Sequence, residues 1–135
     1  MSIFRPSNDS PSQNGQTSRR RVLVVDDERV IADALAIILN QNGFEASAAY
    51  TGSTAVESAR EQKPDLVISD VMMPDMNGID AAIRIREMLP GCKILLFSGK
   101  AATADLLEKA RTQGHEFEIL SKPVHPQDLL AKLKG

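Results

Sequence analysis

Four short apolar runs of the sequence are each followed by residues that could take part in phosphoryl chemistry. These residues are three aspartates, one serine and one lysine: Asp26, Asp27, Asp70, Ser98 and Lys122. Carboxylates bind divalent cations and can act as nucleophiles, whereas a hydroxyl and an ammonium group can stabilise negative charge. If the fold brings these side chains together, we expect a site for a cation and a phosphoryl group.

The three carboxylates would need compensation, because like charges within a few ångströms force at least one group to stay protonated. Lys122 offsets one charge, and a divalent cation would offset the rest. An all-oxygen site suits Mg²⁺, which keeps several waters and so leaves positions for a phosphoryl group. Asp70 is the best candidate for the nucleophile, because its strand is expected to lie between the acidic pair and the side of the site that holds Ser98 and Lys122.

Each of these residues has an ordinary structural explanation when it is taken alone. Asp26 and Asp27 could cap the following helix. Ser98 could be a turn residue, Lys122 a solvated loop lysine, and Asp70 a cap for the next loop. The functional interpretation is favoured because four separate strands would otherwise have to end by chance in residues useful for the same chemistry.

The elements that must position these residues follow from the alternation of apolar runs with helical patterns. Strands are predicted over residues 22–25, 44–49, 66–68, 94–97 and 117–120. Helices are predicted over residues 28–42, from 54 to before 64, from 79 to before 90, over 102–113, and from Pro126 onward. Thr54 and Glu57 have the spacing of a capping box, and Gly43 and Gly114 stand where left-handed helix ends are expected.

Five strands that alternate with five helices predict an α/β fold with parallel βαβ units. Strands one, three and four are continuously apolar, as expected for strands covered on both faces, whereas strands two and five carry polar residues typical of sheet edges. The expected architecture is therefore a flavodoxin-like, doubly wound sheet of order 2-1-3-4-5. Ligands bind such sheets at the switch point between strands one and three.

Composition limits the class of protein. The 135 residues include 16 basic and 18 acidic ones, for a net charge of −2. This length fits one domain, and the charge balance argues against binding to nucleic acid or to a membrane surface. The longest apolar run, residues 34–39, is too short to span a bilayer. A single cysteine, Cys92, and no readable export signal after Arg19-Arg20 predict a cytoplasmic protein.

Residues 1–18 differ from the rest, because they are rich in Ser, Pro, Asn, Gln and Gly. We expect them to form a disordered tail, either an inert leader or a docking arm, ahead of a domain over residues 19–135.

Four motifs of the sequence resemble those of the response-regulator receiver domain, the phospho-accepting module of two-component signalling. They are Val-Leu-Val-Val-Asp26-Asp27-Glu28, Asp70-Val-Met-Met-Pro74-Asp-Met-Asn-Gly78, Leu-Leu-Phe-Ser98-Gly99 and Leu-Ser-Lys122-Pro123. The resemblance covers residues 21–134.

The resemblance implies a role for each matching residue. Asp70 would be phosphorylated by a histidine kinase or a histidine phosphotransfer protein. Asp27, Asp70 and the backbone carbonyl of Met72 would ligate Mg²⁺, with Asp26 assisting through water. Ser98 would turn toward the phosphoryl group and Lys122 would pair with it. Loop-shaping roles fall to three further residues: Pro74, Gly78 and Pro123, the last after a cis peptide bond.

Three departures from the family pattern affect these expectations. Ile119 stands where an aromatic switch residue is usual, and the stretch from Gly114 to Lys122 is one residue longer than the common spacing. Met72 and Lys100 flank the acceptor where members of the family tune phosphoryl lifetime. Because Met72 has no polar group to position an attacking water, we expect phospho-Asp70 to be long-lived.

The chain ends about a dozen residues after Lys122, so we expect a stand-alone receiver that acts by protein–protein contact. The expected surface is formed by helix four, strand five and helix five, with Ala101, Ala102, Leu107 and Lys109. The same residues could instead form an ordinary solvated helix face.

Three other functions could use residues of the same types. A haloacid-dehalogenase-type phosphatase, a turnover enzyme, needs Asp-x-Asp after strand one, whereas Asp26 and Asp27 are adjacent. A flavin carrier needs a phosphate-cradling loop at that point, and Asp26, Asp27 and Glu28 would repel the phosphate. A degenerate receiver that binds partners without phosphorylation stays open as the alternative.

Overall fold

The structure is a computed structural model that describes residues 19–99 and 103–134. The elements, in chain order, are β1 (Arg21–Val25), α1 (Arg29–Gln41), β2 (Glu45–Ala49), α2 (Gly52–Gln62), β3 (Leu66–Asp70), α3 (Gly78–Met88), β4 (Lys93–Ser98), α4 (Thr103–Thr112), β5 (Glu118–Ser121) and α5 (Pro126–Lys134). The predicted alternation of strands and helices is confirmed. The predicted tail over residues 1–18, and Lys100, Ala101 and Ala102, lie outside the described residues.

The five strands form one parallel sheet in the order β2-β1-β3-β4-β5, as predicted. The chain therefore leaves β1 toward β2 on one side and returns to β3 on the other. The residues that follow β1 and β3 face the crevice created by this change of direction.

Residues of β1 alternate between two apolar layers, because successive side chains of a strand point to opposite faces. Leu23 and Val25 pack with residues of α2 and α3 on one face. Val22 and Val24 pack with residues of α1 and α5 on the other face. All four side chains are almost fully buried, and each contributes about 1.5–3 kcal/mol through the hydrophobic effect. Strand β1 is thus buried on both faces directly before Asp26 and Asp27.

The start of α2 differs from the prediction. The helix begins at Gly52, and its N-cap is Thr51, whose side chain accepts a hydrogen bond from the Thr54 amide at 3.0 Å. The Thr54 hydroxyl in turn accepts from the Thr51 amide at 3.2 Å. The predicted capping box of Thr54 and Glu57 is therefore wrong, because Thr54 is already the third helical residue. Glu57 instead pairs with Arg60 at 3.0 Å.

The ends of α1 and α4 agree with the positions of glycine in the sequence. Gly43 has a φ of 93° and Gly114 a φ of 92°, so both occupy the left-handed region expected after α1 and α4. The sequence pattern places Phe44 and Phe117 in strands, but each lies just before its strand. The Phe117 ring instead stacks beneath the Arg86 guanidinium, 4.2 Å from the ring centroid.

The outer strand β2 carries two polar residues, Glu45 and Ser47, and is only partly buried. The side-chain amide of Asn40 in α1 contacts the backbone of this strand. Its oxygen accepts from the Ala46 amide at 2.8 Å, and its nitrogen donates to the Ala46 carbonyl at 3.1 Å. None of the helices in the described part of the chain has the length and apolar character needed to span a bilayer.

Candidate functional site

The carboxyl ends of β1 and β3 bring three aspartates together. The two strands are neighbours, with Val25 opposite Ser69 in the register. Asp26, Asp27 and Asp70 each offer a carboxylate oxygen, and these three oxygens lie within 4.8 Å of one another. The acidic cluster predicted from the sequence is therefore present at the switch point of the sheet.

Asp26 is the most buried member of this cluster. Its side chain has no exposure to solvent, and Oδ1 accepts a hydrogen bond from the Glu28 amide at 2.9 Å. Oδ2 is buried and has no hydrogen-bond partner among the residues that the structure describes. Burial raises the pKa of Asp26 to about 6, and the negative charge of Asp70 acts in the same direction. A buried carboxylate oxygen without a donor is suited to face a cation or a water bound to one.

Lys122 supplies positive charge to the opposite side of the cluster. Its Nζ donates a hydrogen bond to Asp70 Oδ2 at 2.9 Å and lies 5.3 Å from the centroid of the Phe97 ring. Burial by itself lowers the pKa of Lys122, but the hydrogen bond to Asp70 and the attraction of that carboxylate outweigh burial, so the pKa is raised. The lysine therefore carries its positive charge at neutral pH and is held against the acceptor candidate by the hydrogen bond.

Backbone contacts hold Lys122 next to the end of β4. The Lys122 amide donates to the Ser98 carbonyl at 3.1 Å, and the Lys122–Pro123 peptide bond is cis, as the resemblance implies. Gly99 lies so close that a Cβ atom there would be 3.1 Å from the Lys122 Cβ. The end of β4 and the start of the β5–α5 loop thus meet directly beside the cluster.

Ser98 reaches the same edge of the sheet. It is half-buried at the end of β4 and lies one residue beyond Phe97, which is opposite Asp70 in the register. On its other side Ser98 is opposite Ser121 of β5. The structure therefore places all five predicted residues at the same edge of the sheet.

The loop between β3 and α3 folds back tightly on Asp70. The Gly78 amide donates to the Val71 carbonyl at 2.7 Å, and a Cβ atom on Gly78 would overlap the Asp70 carbonyl oxygen. The Met72 amide points to Asp70 Oδ1 at 3.3 Å, while the Met72 side chain is 42% exposed. Pro74 is exposed farther along the loop. Only glycine fits at position 78, because no side chain can occupy this contact.

Sequence reasoning did not identify Asp75, which lies in this loop. Its carboxylate accepts hydrogen bonds from the amides of Gly52 and Ser53, both at 3.0 Å, and from the Ser53 hydroxyl at 2.8 Å. These donors lower the pKa of Asp75 to about 2. An aspartate after a proline is typical of a turn, and the sequence holds no sign that its partner lies 22 or 23 positions away.

Ile119 and Leu107 are half-buried and pack against the apolar layer that contains α2 and α3. They line a depression of about 340 Å³ together with Phe117 and, at its rim, Arg111. The expected surface of α4, β5 and α5 therefore contains an aliphatic residue at the position where the family usually has an aromatic one.

The arrangement of carboxylates, lysine and hydroxyl at a switch point suits the binding of a cation and the transfer of a phosphoryl group. Comparison with known proteins agrees with this chemistry. The sequence profile described as "Response regulator receiver domain" matches residues 22–134. The chemotaxis protein CheY of Thermotoga maritima is 36% identical over 115 residues, which cover 84% of this chain and 94% of that protein.

Two further similarities concern longer relatives and solved structures. The DNA-binding response regulator MtrA of Mycolicibacterium smegmatis is 36% identical over 119 residues, which cover 88% of this chain and 51% of that protein. The chain thus spans about half the length of the mycobacterial relatives that it matches. A CheY-like receiver domain protein from Methanospirillum hungatei superimposes with a TM-score of 0.78 at 30% identity, over 87% of this chain and 92% of that chain.

Proposed function

Because the chain belongs to the response regulator receiver domain family, we propose that it accepts a phosphoryl group on Asp70 in two-component signal transduction. The observation that carries this proposal is the cluster of Asp26, Asp27 and Asp70, with their carboxylate oxygens within 4.8 Å and Lys122 bonded to Asp70 at 2.9 Å. We propose accordingly that the chain is a phosphoryl acceptor and not a turnover enzyme.

The donor set fits Mg²⁺. All the candidate ligands are oxygens, and the unpartnered Oδ2 of Asp26 supports the presence of positive charge at this point. We assign Asp27, Asp70 and the backbone carbonyl of Met72 as the ligands, with Asp26 acting through water. When it is bound, the cation supplies positive charge that offsets the charge of the incoming phosphoryl group.

In the proposed reaction, a carboxylate oxygen of Asp70 forms a bond to phosphorus while the bond between phosphorus and a histidine nitrogen of the donor breaks. The electron pair leaves with the imidazole, which takes a proton from solvent. Lys122 exchanges its contact with the carboxylate for one with a phosphoryl oxygen, and the Ser98 hydroxyl donates to another. Gly78 keeps the backbone close to Asp70, while Pro74 and Pro123 shape the two adjoining loops.

We propose that the phosphoryl donor is a histidine kinase or a histidine phosphotransfer protein in the cytoplasm. The output would be a contact with a downstream protein through the face of α4, β5 and α5. The absence of a nucleic-acid partner stays a prediction, since MtrA, which is about twice as long, is described as DNA-binding.

The test is incubation with acetyl phosphate and Mg²⁺, followed by measurement of the intact mass. The wild type should gain one phosphate, Asp70→Asn should gain none, and Asp105→Asn, which alters an exposed aspartate of α4, should behave as the wild type. A wild type without an adduct would contradict the proposal and favour a receiver that binds partners without phosphorylation. Repeated turnover of acetyl phosphate without a stable adduct would instead favour a phosphatase.

A further inference from the structure

The loop between β3 and α3 is attached to the start of α2 through Asp75. Three hydrogen bonds join its carboxylate to Gly52 and Ser53, with lengths of 2.8 to 3.0 Å. We propose that Asp75 is a positioning residue for the Mg²⁺ site, because it holds the loop whose Met72 carbonyl would ligate the cation. This inference rests on the proposed function.

A backbone carbonyl can ligate a metal only where the loop places it. The loop is closed at its base by the hydrogen bond of 2.7 Å from Gly78 to Val71. Between this closure and Asp75 lies Met72, whose side chain is 42% exposed and therefore gives the loop little anchorage in the core. The Met72 amide contacts Asp70 Oδ1 at 3.3 Å, and the next residue, Met73, packs against the apolar layer. The position of the Met72 carbonyl thus depends on these contacts and on the closure at one end, and on Asp75 at the other.

The start of α2, which Asp75 contacts, is also connected to the acidic pair of Asp26 and Asp27. The Ala49 carbonyl, three residues before Gly52, accepts a hydrogen bond from the Asp26 amide at 3.1 Å. The link from Asp75 to α2 therefore connects the two segments of chain that carry Asp26 and Met72. Relaxation of this link would allow the two sides of the proposed metal site to separate.

The contact between loop and helix is tight as well as polar. A Cβ atom on Gly52 would lie 2.7 Å from the Met76 Cβ, so the backbone of α2 approaches the loop without room for a side chain. The negative charge of Asp75 is favourable at the N-terminus of a helix, where backbone amides lack partners within the helix. Asparagine would keep the size of the side chain but lose the charge and one of the two carboxylate acceptors.

The experiment compares Asp75→Asn and the milder Ser53→Ala with a matched control, Glu57→Gln. Glu57 is an exposed carboxylate of the same helix, and its pairing with Arg60 is a surface contact. The Mg²⁺ dissociation constant is measured by isothermal titration calorimetry at a temperature where circular dichroism shows every variant to be folded. Amide hydrogen exchange is measured without metal.

We expect the Mg²⁺ dissociation constant to rise roughly tenfold in Asp75→Asn, which is typical of the loss of a residue that orients a metal ligand. Ser53→Ala should show a smaller rise, and Glu57→Gln none. Exchange should become faster over residues 71–77 in the metal-free Asp75→Asn protein. Phosphorylation by acetyl phosphate should need more Mg²⁺ but approach the wild-type rate at saturation.

An unchanged Mg²⁺ dissociation constant in Asp75→Asn would overturn the inference, even if the variant melted at a lower temperature, since Asp75 would then be purely structural. If Asp75→Asn does not fold, an unchanged constant in Ser53→Ala overturns it. Failure of the wild type to bind Mg²⁺ or to form an adduct overturns the proposed function along with the inference. If the wild type binds Mg²⁺ and forms the adduct, and Asp75→Asn has the same Mg²⁺ dissociation constant, only the inference is overturned.

Discussion

The ammonium group of Lys122 donates a hydrogen bond to Oδ2 of Asp70 across 2.9 Å, although 52 positions separate the two residues in the chain. The Asp70 side chain is 7% exposed and the Lys122 side chain 28%, so the pair is only partly screened by water. In the protein without ligands, this lysine offsets part of the negative charge that Asp26, Asp27 and Asp70 concentrate at the rim.

Replacement of Lys122 by glutamine should therefore destabilise the protein without metal. We expect the free energy of unfolding near neutral pH to fall by about 1–2 kcal/mol, because the carboxylates lose their compensating charge. Mg²⁺ should restore part of the loss. Urea denaturation with EDTA and with Mg²⁺ measures both effects. Lys132→Gln, which breaks a surface pair with Glu118, is the control and should change stability by less than about 1 kcal/mol. Equal stability of Lys122→Gln and the wild type in EDTA would contradict the prediction.

Replacement of Asp26 by asparagine should stabilise the protein without metal, and the effect should depend on pH. The pKa of Asp26 is raised from 3.8 to about 6, so the folded state binds this proton more tightly than the unfolded state. Stability is then lost as pH rises from about 4 to about 6, and the penalty is complete above that range. Asparagine does not titrate, so Asp26→Asn should gain about 1–3 kcal/mol near pH 7.5 and almost nothing near pH 4.

Urea denaturation in EDTA at the two pH values checks this prediction. Saturating Mg²⁺ should reduce the advantage of Asp26→Asn, because the cation stabilises the wild-type carboxylate. If the variant is less stable than the wild type at about pH 7.5, the charge of Asp26 does not destabilise the folded state, and the prediction is wrong.

Replacement of Gly78 by alanine should strongly destabilise the fold. The added Cβ atom would overlap the Asp70 carbonyl oxygen, which belongs to β3 and cannot move independently of the sheet. We expect a loss of about 3 kcal/mol or more, together with a weaker Mg²⁺ site. Gly91→Ala is the matched control, since no atom lies within 4 Å of a Cβ atom there. Thermal denaturation compares the two variants, and similar melting temperatures would refute the proposed steric role.

Cys92 should be unreactive in the folded protein. Burial raises the pKa of its thiol to about 11, and the negative charge of Asp65 acts in the same direction. Only about one thiol in a thousand is then ionised at pH 8, and the thiolate is the reactive form. Alkylation by iodoacetamide, followed by mass spectrometry, should be much slower in native buffer than in concentrated urea. Rapid labelling of native protein would contradict the burial of this side chain.

Phospho-Asp70 should be long-lived, because Met72 offers no polar group to orient an attacking water. Replacement of Met72 by asparagine introduces such a group at an exposed position, and it should shorten the phosphoryl lifetime without changing the Mg²⁺ dissociation constant. Stopped-flow or quenched decay of the purified adduct measures the lifetime. Complete loss of phosphate from the wild type within seconds would refute the prediction.

The architecture could be predicted from the sequence because hydrophobic patterning reports which strands are covered on both faces. The apolar runs before Asp26 and Asp70 indicated central strands, and parallel strands of one sheet place their carboxyl ends at one edge. The strand order and the acidic cluster therefore followed from patterns that the chain displays locally.

The capping of α2 and the role of Asp75 could not be predicted in the same way. Thr51 and Thr54 both have side chains suited to an N-cap. Which of the two caps α2 depends on where the loop that contains Asp75 holds the first turn of the helix. Asp75 is a typical turn residue by itself, and its contact with Gly52 and Ser53 exists only in the folded chain. A contact between a loop and the start of a distant helix leaves no periodic signal in the sequence.

The side chain of Asn40 covers part of the edge that β2 forms on the sheet. The amide of Asn40 occupies both the N–H and the C=O of Ala46 on β2, which are groups that a strand from another molecule would need for pairing. Uncovered edges of this kind recruit foreign strands and lead to aggregation. A foreign strand would therefore have to displace the Asn40 amide before it could pair with β2 at Ala46.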